Sequence, residues 1–263
     1  MSVYPPDGPM PANGPKVVPA ATVVVFRKAA AAGPPELLMV QRAKELRFAG
    51  GAAVFPGGRV DPEDRALAAR LMPAEEPEIG AGRIAAIRET LEETGLMIAT
   101  RDRVTADQAA AGRAMLEREG ALAPVLERFG WQLDPFRLQF YAHWCPPRDR
   151  AFDTRFFVTD LGTGAVDVAV DATENTRLFW ASASRALELA DTGEISVIFP
   201  TRRNLERLAQ YSCYADALAD IARHPVRRIH ASPAERDGEA WLMIPEGHGY
   251  PVRGQSLASA KRG

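Results

Sequence analysis

Two cysteines in 263 residues, Cys145 and Cys213, leave no disulfide framework and no thiolate metal site. The four histidines, His143, His224, His230 and His248, fall in no ligand spacing, so structural or exposed roles are expected of them. No apolar run is long enough to span a bilayer. The first fifteen residues, rich in Pro and Gly, lack the basic start and apolar centre of a signal peptide, and Lys261-Arg262-Gly263 is no peroxisomal address. A net charge of −2 supplies no broad positive field for nucleic acid or a membrane surface. No internal repeat is apparent. A reducing, cytoplasmic setting is the default expectation. What is present is ordinary for a globular protein: 46% hydrophobic and 25% charged residues. The length suits one large domain, or one domain with a helical addition.

Residues 1–15 read as a loose leader, followed by a single domain over 16–263. Val17, Val18 and Val23 to Phe26 mark a buried strand between Lys16 and Lys28. Glu36 to Arg42 returns after a small, turn-rich link, and the pair reads as a hairpin. Asp61-Pro62-Glu63-Asp64 is a helix start, and that helix should stop before Pro73. Ala74 to Ala81 reads as an acidic connector whose Glu75, Glu76 and Glu78 are solvated. Leu96 to Ala99 suggests a short strand. Thr105 to Glu119, capped by Thr105, and Ala121 to Phe129 read as helices. Phe136 to Trp144 and Thr154 to Thr159 read as antiparallel strands. For Arg150 and Arg155 a structural ion pair is favoured over substrate contact. A strand from Glu174 to Trp180 should lead into a helix from Ser182 to Leu189, stopped at Asp191-Thr192-Gly193. Thr201 to Ala209 and Tyr211 to Ala222 read as further helices, an addition at about 200–223. Trp241 to Ile244 is one late strand.

The chemistry points to Arg88-Glu89-Thr90-Leu91-Glu92-Glu93-Thr94-Gly95-Leu96. At about 100° per helical residue, taking Glu89 as zero, Glu92 falls at about 300° and Glu93 at about 40°. Ile84, Ile87 and Leu91 fall at about 220°, 160° and 200°, on the opposite side. One helix thus carries an apolar seam and an acidic face. Carboxylates at this spacing repel, and alone they are more often a wet surface than a metal site. A hard divalent ion would neutralise them and bridge to phosphate oxygens.

Upstream stands Phe55-Pro56-Gly57-Gly58. Together these stretches resemble the box of the Nudix hydrolase family, G-x5-E-x7-R-E-U-x-E-E-x-G-U with U aliphatic. Gly58 matches the first glycine. Arg88, Glu89, Glu92, Glu93, Gly95 and Leu96 match the second half. Asp64 stands where the box has Glu, and Thr90 replaces its first aliphatic residue. Twenty-three residues separate Asp64 from Arg88 where the family has seven, an insertion at about 65–80 in a box spanning 58–96. Such an insertion resembles the coenzyme A diphosphatase subgroup. So does the run before the box, L-L-T-x-R-S/A-x3-R/K-x3-G-x3-F-P-G-G, matched here by Arg42, Ala43, Arg47, Gly51 and the final four residues. Met39 and Val40 depart from it.

The resemblance implies an α/β fold: a Nudix-type α/β/α sandwich with a mixed sheet and additional C-terminal helices. It implies Mg²⁺ or Mn²⁺ held by Glu92 and Glu93, with Glu89 as another ligand or the water-activating base. It adds the Gly57 carbonyl as a ligand and Arg88 as a brace for Glu92. Arg42, Arg47 and Gly58 become candidates for substrate binding; the plain reading of the arginines is surface ion pairing. Asp171 and Glu174 are candidates for a further acid outside the box. The substrate implied is a small nucleotide, coenzyme A or acyl-CoA first, with NADH, ADP-ribose or another nucleotide as the alternative. A nucleotide-binding module without catalysis is a second class, and a capped RNA end is the weakest reading. No membrane partner is implied, and a homodimer is left open.

Overall fold

β1 (Val18–Arg27) is the strand on which the large sheet is assembled. Its companions are β2 (Glu36–Arg42), β3 (Ala53–Val54), β4 (Gly57–Arg59), β5 (Gln139–Trp144), β6 (Phe152–Asp160), β7 (Asn175–Ser182) and β8 (Arg228–Ile229). The order is β3-β2-β1-β6-β5-β8, with β4 also on β1 and β7 on β2. β1 pairs antiparallel with β2 and β4 but parallel with β6, so the sheet is mixed. The computed structural model describes residues 16–29, 32–43, 49–146, 149–161 and 175–260.

Strand alternation divides the core into two layers. Ala21, Val23 and Val25 of β1 and Leu38 of β2 face one cluster. Val24, Phe26, Leu37 and Met39 face the other. The first cluster is covered by α1 (Pro62–Leu71), α2 (Pro77–Thr94), α3 (Ala106–Glu119) and α4 (Leu122–Phe129). The second is covered by α5 (Ala183–Asp191), α6 (Phe199–Leu208) and α7 (Tyr214–Arg223). This is the expected α/β/α sandwich with a mixed sheet and C-terminal helices. A second small sheet of β9 (Ser232–Arg236), β10 (Glu239–Met243) and β11 (Gly254–Ser256) follows, ending in α8 (Leu257–Ala260). Only its middle strand was expected. No helix among the described residues is long and apolar enough to cross a membrane.

Three local expectations need correction. Ala74 to Ala81 is not a connector throughout: α2 begins at Pro77, and the Glu76 carboxylate caps it by accepting from the amides of Glu78 and Ile79. Pro at the first helical position fits this start, since its missing N–H would be unsatisfied anyway. The three glutamates are not merely solvated, for Glu78 pairs with Arg65 at 3.0 Å and Glu75 with Arg83 at 3.4 Å. Leu96 to Ala99 is buried but forms no strand; its side chains fill the helix-side core and the run has no ladder partner.

Candidate active site

α2 runs from the Glu76 cap to Gly95, whose left-handed φ of 69° closes the helix, as glycine permits. Ile84, Ile87 and Leu91 are fully buried, as the periodicity requires. Thr90, also fully buried, satisfies its hydroxyl by donating to the Ala86 carbonyl at 2.7 Å. The substitution for an aliphatic residue is therefore absorbed within the helix.

The acidic face is the surprise. Helical geometry alone suggests a solvated stripe, yet Glu93 is buried and Glu89 keeps only 15% of its side-chain exposure; Glu92 keeps 40%. The Gly-Gly turn causes this. The Gly57 amide donates to Glu93 Oε2 at 3.0 Å. A Cβ on Gly58 would run into the Glu89 carboxylate, and one on Gly57 would strike the β1 backbone at Ala21. Glycine at both places lets the turn lie between β1 and α2, so residues 57 and 58 meet Glu93 and Glu89 across some thirty residues of chain.

Arg88 is the hub. Its buried guanidinium grips Asp64 with Nε at 3.0 Å from Oδ1 and Nη2 at 3.0 Å from Oδ2. Nη2 also donates to the Arg59 carbonyl at 2.9 Å. Nη1 lies 2.9 Å from Glu89 Oε1 and 3.2 Å from Glu92 Oε2. Burial opposes its charge, but these carboxylates more than compensate and raise its pKa. Asp64 is 1% exposed. The insertion therefore loops out as the rest of α1 and its return, while the acid at its start keeps its place against Arg88. Sequence reading matched Asp64 to the box without seeing this pair; an arginine in a mostly apolar helix was the available signal, since a buried guanidinium needs a carboxylate.

Glu89 is pushed up to about 7, first by burial and then by the neighbouring charge of Glu92, against the pull of Arg88. A cation beside it would remove that penalty. Among the described residues no three acidic, histidine or cysteine side chains are grouped so that they could hold a metal ion as they stand. Arg88 lies against both Glu89 and Glu92, and Glu93 turns toward the Gly57 amide. The donor set still suits a hard divalent cation: carboxylate oxygens at a glycine turn, one of them costly to ionise alone.

Arg42 ends β2, its amide bonded to the Ala52 carbonyl at 3.0 Å, and its buried Nε has no hydrogen-bond acceptor. Arg47, Asp171 and Glu174 lie outside the described residues. Arg155 pairs with Asp153 at 3.3 Å and His143 meets the same carboxylate at 2.6 Å, both structural contacts. His224 likewise meets Asp220, and His230 the Cys145 carbonyl.

No protein-family profile matches the chain. It is 29% identical over 266 residues to the acyl-coenzyme A diphosphatase NUDT19 of Gallus gallus, spanning 80% of this chain and 68% of that protein. Among solved structures, a NUDIX hydrolase from Alicyclobacillus acidocaldarius is 30% identical with a TM-score of 0.67, over 78% of this chain and 96% of that one. With fold, glycine turn and glutamate helix all in agreement, the chain belongs to the Nudix hydrolase family.

Proposed function

We propose that the protein hydrolyses the diphosphate of coenzyme A or an acyl-CoA, releasing adenosine 3′,5′-bisphosphate and phosphopantetheine or its acyl derivative. The observation that carries this reading is the box insertion, built so that Asp64 still grips Arg88, in a chain similar to an acyl-CoA diphosphatase over four fifths of its length. Water adds to one phosphorus, the bridging P–O bond breaks, and the other phosphate leaves with the electron pair.

Glu92, Glu93 and Glu89, with the Gly57 carbonyl, would hold Mg²⁺ or Mn²⁺. Such an ion supplies Lewis acidity, lowers the pKa of bound water and aligns the diphosphate. Arg88 holds Glu89 and Glu92 in place through its contacts to both. If Glu89 is not a ligand, it is the base that takes the proton of the attacking water; its elevation to about 7 holds only while no cation lies beside it. Arg42, with a buried Nε lacking an acceptor, is suited to a substrate phosphate, and Arg47 is assigned the same role from the motif. Gly58 admits the Glu89 carboxylate against the turn.

Purified protein with Mg²⁺ or Mn²⁺ should cleave coenzyme A or an acyl-CoA in preference to NADH and ADP-ribose. Cleavage of ADP-ribose with coenzyme A untouched would replace this substrate assignment. Glu92→Gln should lower turnover by at least a hundredfold while leaving the melting temperature near that of the parent. Unchanged turnover would remove the glutamates from the site, and nucleotide binding with no turnover in the parent would mean a module that binds without cutting.

A further inference from the structure

Beyond the glutamates, the helix-side face of β2 and β7 holds a second buried donor without an acceptor. The Trp180 indole Nε1 is shielded from solvent and makes no hydrogen bond, as is Arg42 Nε on the neighbouring strand. Both strands turn this face toward the core on which α2 packs. Leu38 belongs to that core, and Leu178 and Trp180 pack against it, while Arg42 lies past a register shift between Gln41 and Arg42. Leu38 pairs with Trp180 and Val40 with Leu178. The Arg27 guanidinium lies 4.2 Å from the indole centroid and is held by Glu36 at 2.7 Å, which fixes the ring.

Buried polar groups are nearly always satisfied, so an orphaned indole N–H calls for an acceptor. From the register, Leu38 stands level with Val25, three residues along β1 from Thr22, the partner of Gly57. Because β4 and β2 lie on the same side of β1 and β7 lies one strand beyond β2, three residues along and one strand across put Trp180 roughly 11 Å from Gly57. An extended pantetheine arm, about four peptide-like units or roughly 14 Å long, reaches across that span. The arm offers what the indole lacks: amide carbonyls to accept, on an apolar chain that fits a partly buried tryptophan.

We propose that Trp180 is a specificity-determining residue that donates its indole N–H to an amide carbonyl of a pantetheine arm; this rests on the substrate reading above. The test is binding to the metal-free full chain, followed by the indole ¹H–¹⁵N resonance of Trp180, assigned by its loss in Trp180→Phe. 4′-Phosphopantetheine should shift that resonance, and Trp180→Phe should weaken its binding about five- to tenfold with adenosine 3′,5′-bisphosphate binding unchanged. No binding of phosphopantetheine, no shift, or equal weakening for both products overturns the proposal. Should Trp180→Phe melt early, the resonance shift in the parent still decides. The substrate reading fails separately: phosphopantetheine that binds at Trp180 in a protein that leaves coenzyme A intact keeps the indole contact and removes the reaction.

Discussion

Asp64 and Arg88 show how a residue can matter through a neighbour. Replacing Asp64 with Asn keeps the shape but leaves the Arg88 guanidinium, 6% exposed, without its bidentate anion. Glu89, Glu92 and Asp61 still face that guanidinium, so the cost falls short of an uncompensated buried charge and is about 1–3 kcal/mol. Denaturant unfolding of Asp64→Asn should show a loss of that order, and a loss below about 1 kcal/mol would mean Arg88 finds another anion. Glu89 makes a pH-dependent prediction. Its folded pKa of about 7 lies above the ordinary carboxylate value, so the metal-free folded state binds the extra proton between about 4.5 and 7. Stability therefore falls as pH rises through that window, by up to about 3 kcal/mol. Glu89→Gln should remove this decline in the metal-free protein, and melting curves from pH 5 to 8 with chelator present will show whether it does.

Elements inherit their stability from such pairs. The β5–β6 pairing carries a buried trio in which His143 and Arg155 both meet Asp153. Burial alone would raise Asp153, but the hydrogen bond and charge of His143 and the charge of Arg155 hold it at about 2. Burial also lowers His143. Both folded values lie below the unfolded ones, so both contributions are present at neutral pH and fade on acidification. The histidine contribution goes first, below about 6.5, and the aspartate contribution between about 4 and 2. The second step is worth about 2 kcal/mol, and acid unfolding of Asp153→Asn should lack it. At this scale the sequence was mostly readable: β-branched runs and caps such as Thr105 locate their elements. Ala74 to Ala81 was misread because Glu-Glu-Pro suits a loop and a helix start equally, and only tertiary burial of Gly80 and Ala81 decides between them.

Across the whole molecule, the C-terminal segment is tied to the sheet by one polar chain. Trp144 Nε1 donates to the Tyr250 hydroxyl at 3.0 Å, which donates to Asn204 Oδ1 at 2.6 Å. Tyr250→Phe leaves an indole N–H and an amide oxygen unsatisfied in the interior. Thermal unfolding should report a loss of about 2 kcal/mol, and an unchanged midpoint would show that water replaces the hydroxyl.

The sequence by itself determined the family signature, the apolar seam of α2 and the placing of most strands and helices. These depend on local periodicity and on residue types that the chemistry of phosphate and metal demands. Tertiary structure alone decided that the acidic face is enclosed, that Asp64 reaches Arg88 past an inserted helix, and that Trp180 Nε1 and Arg42 Nε are buried without a hydrogen-bond acceptor. The reason is distance along the chain: burial and partner choice are fixed by segments roughly twenty to a hundred or more residues away, about which helical and strand periods carry no information.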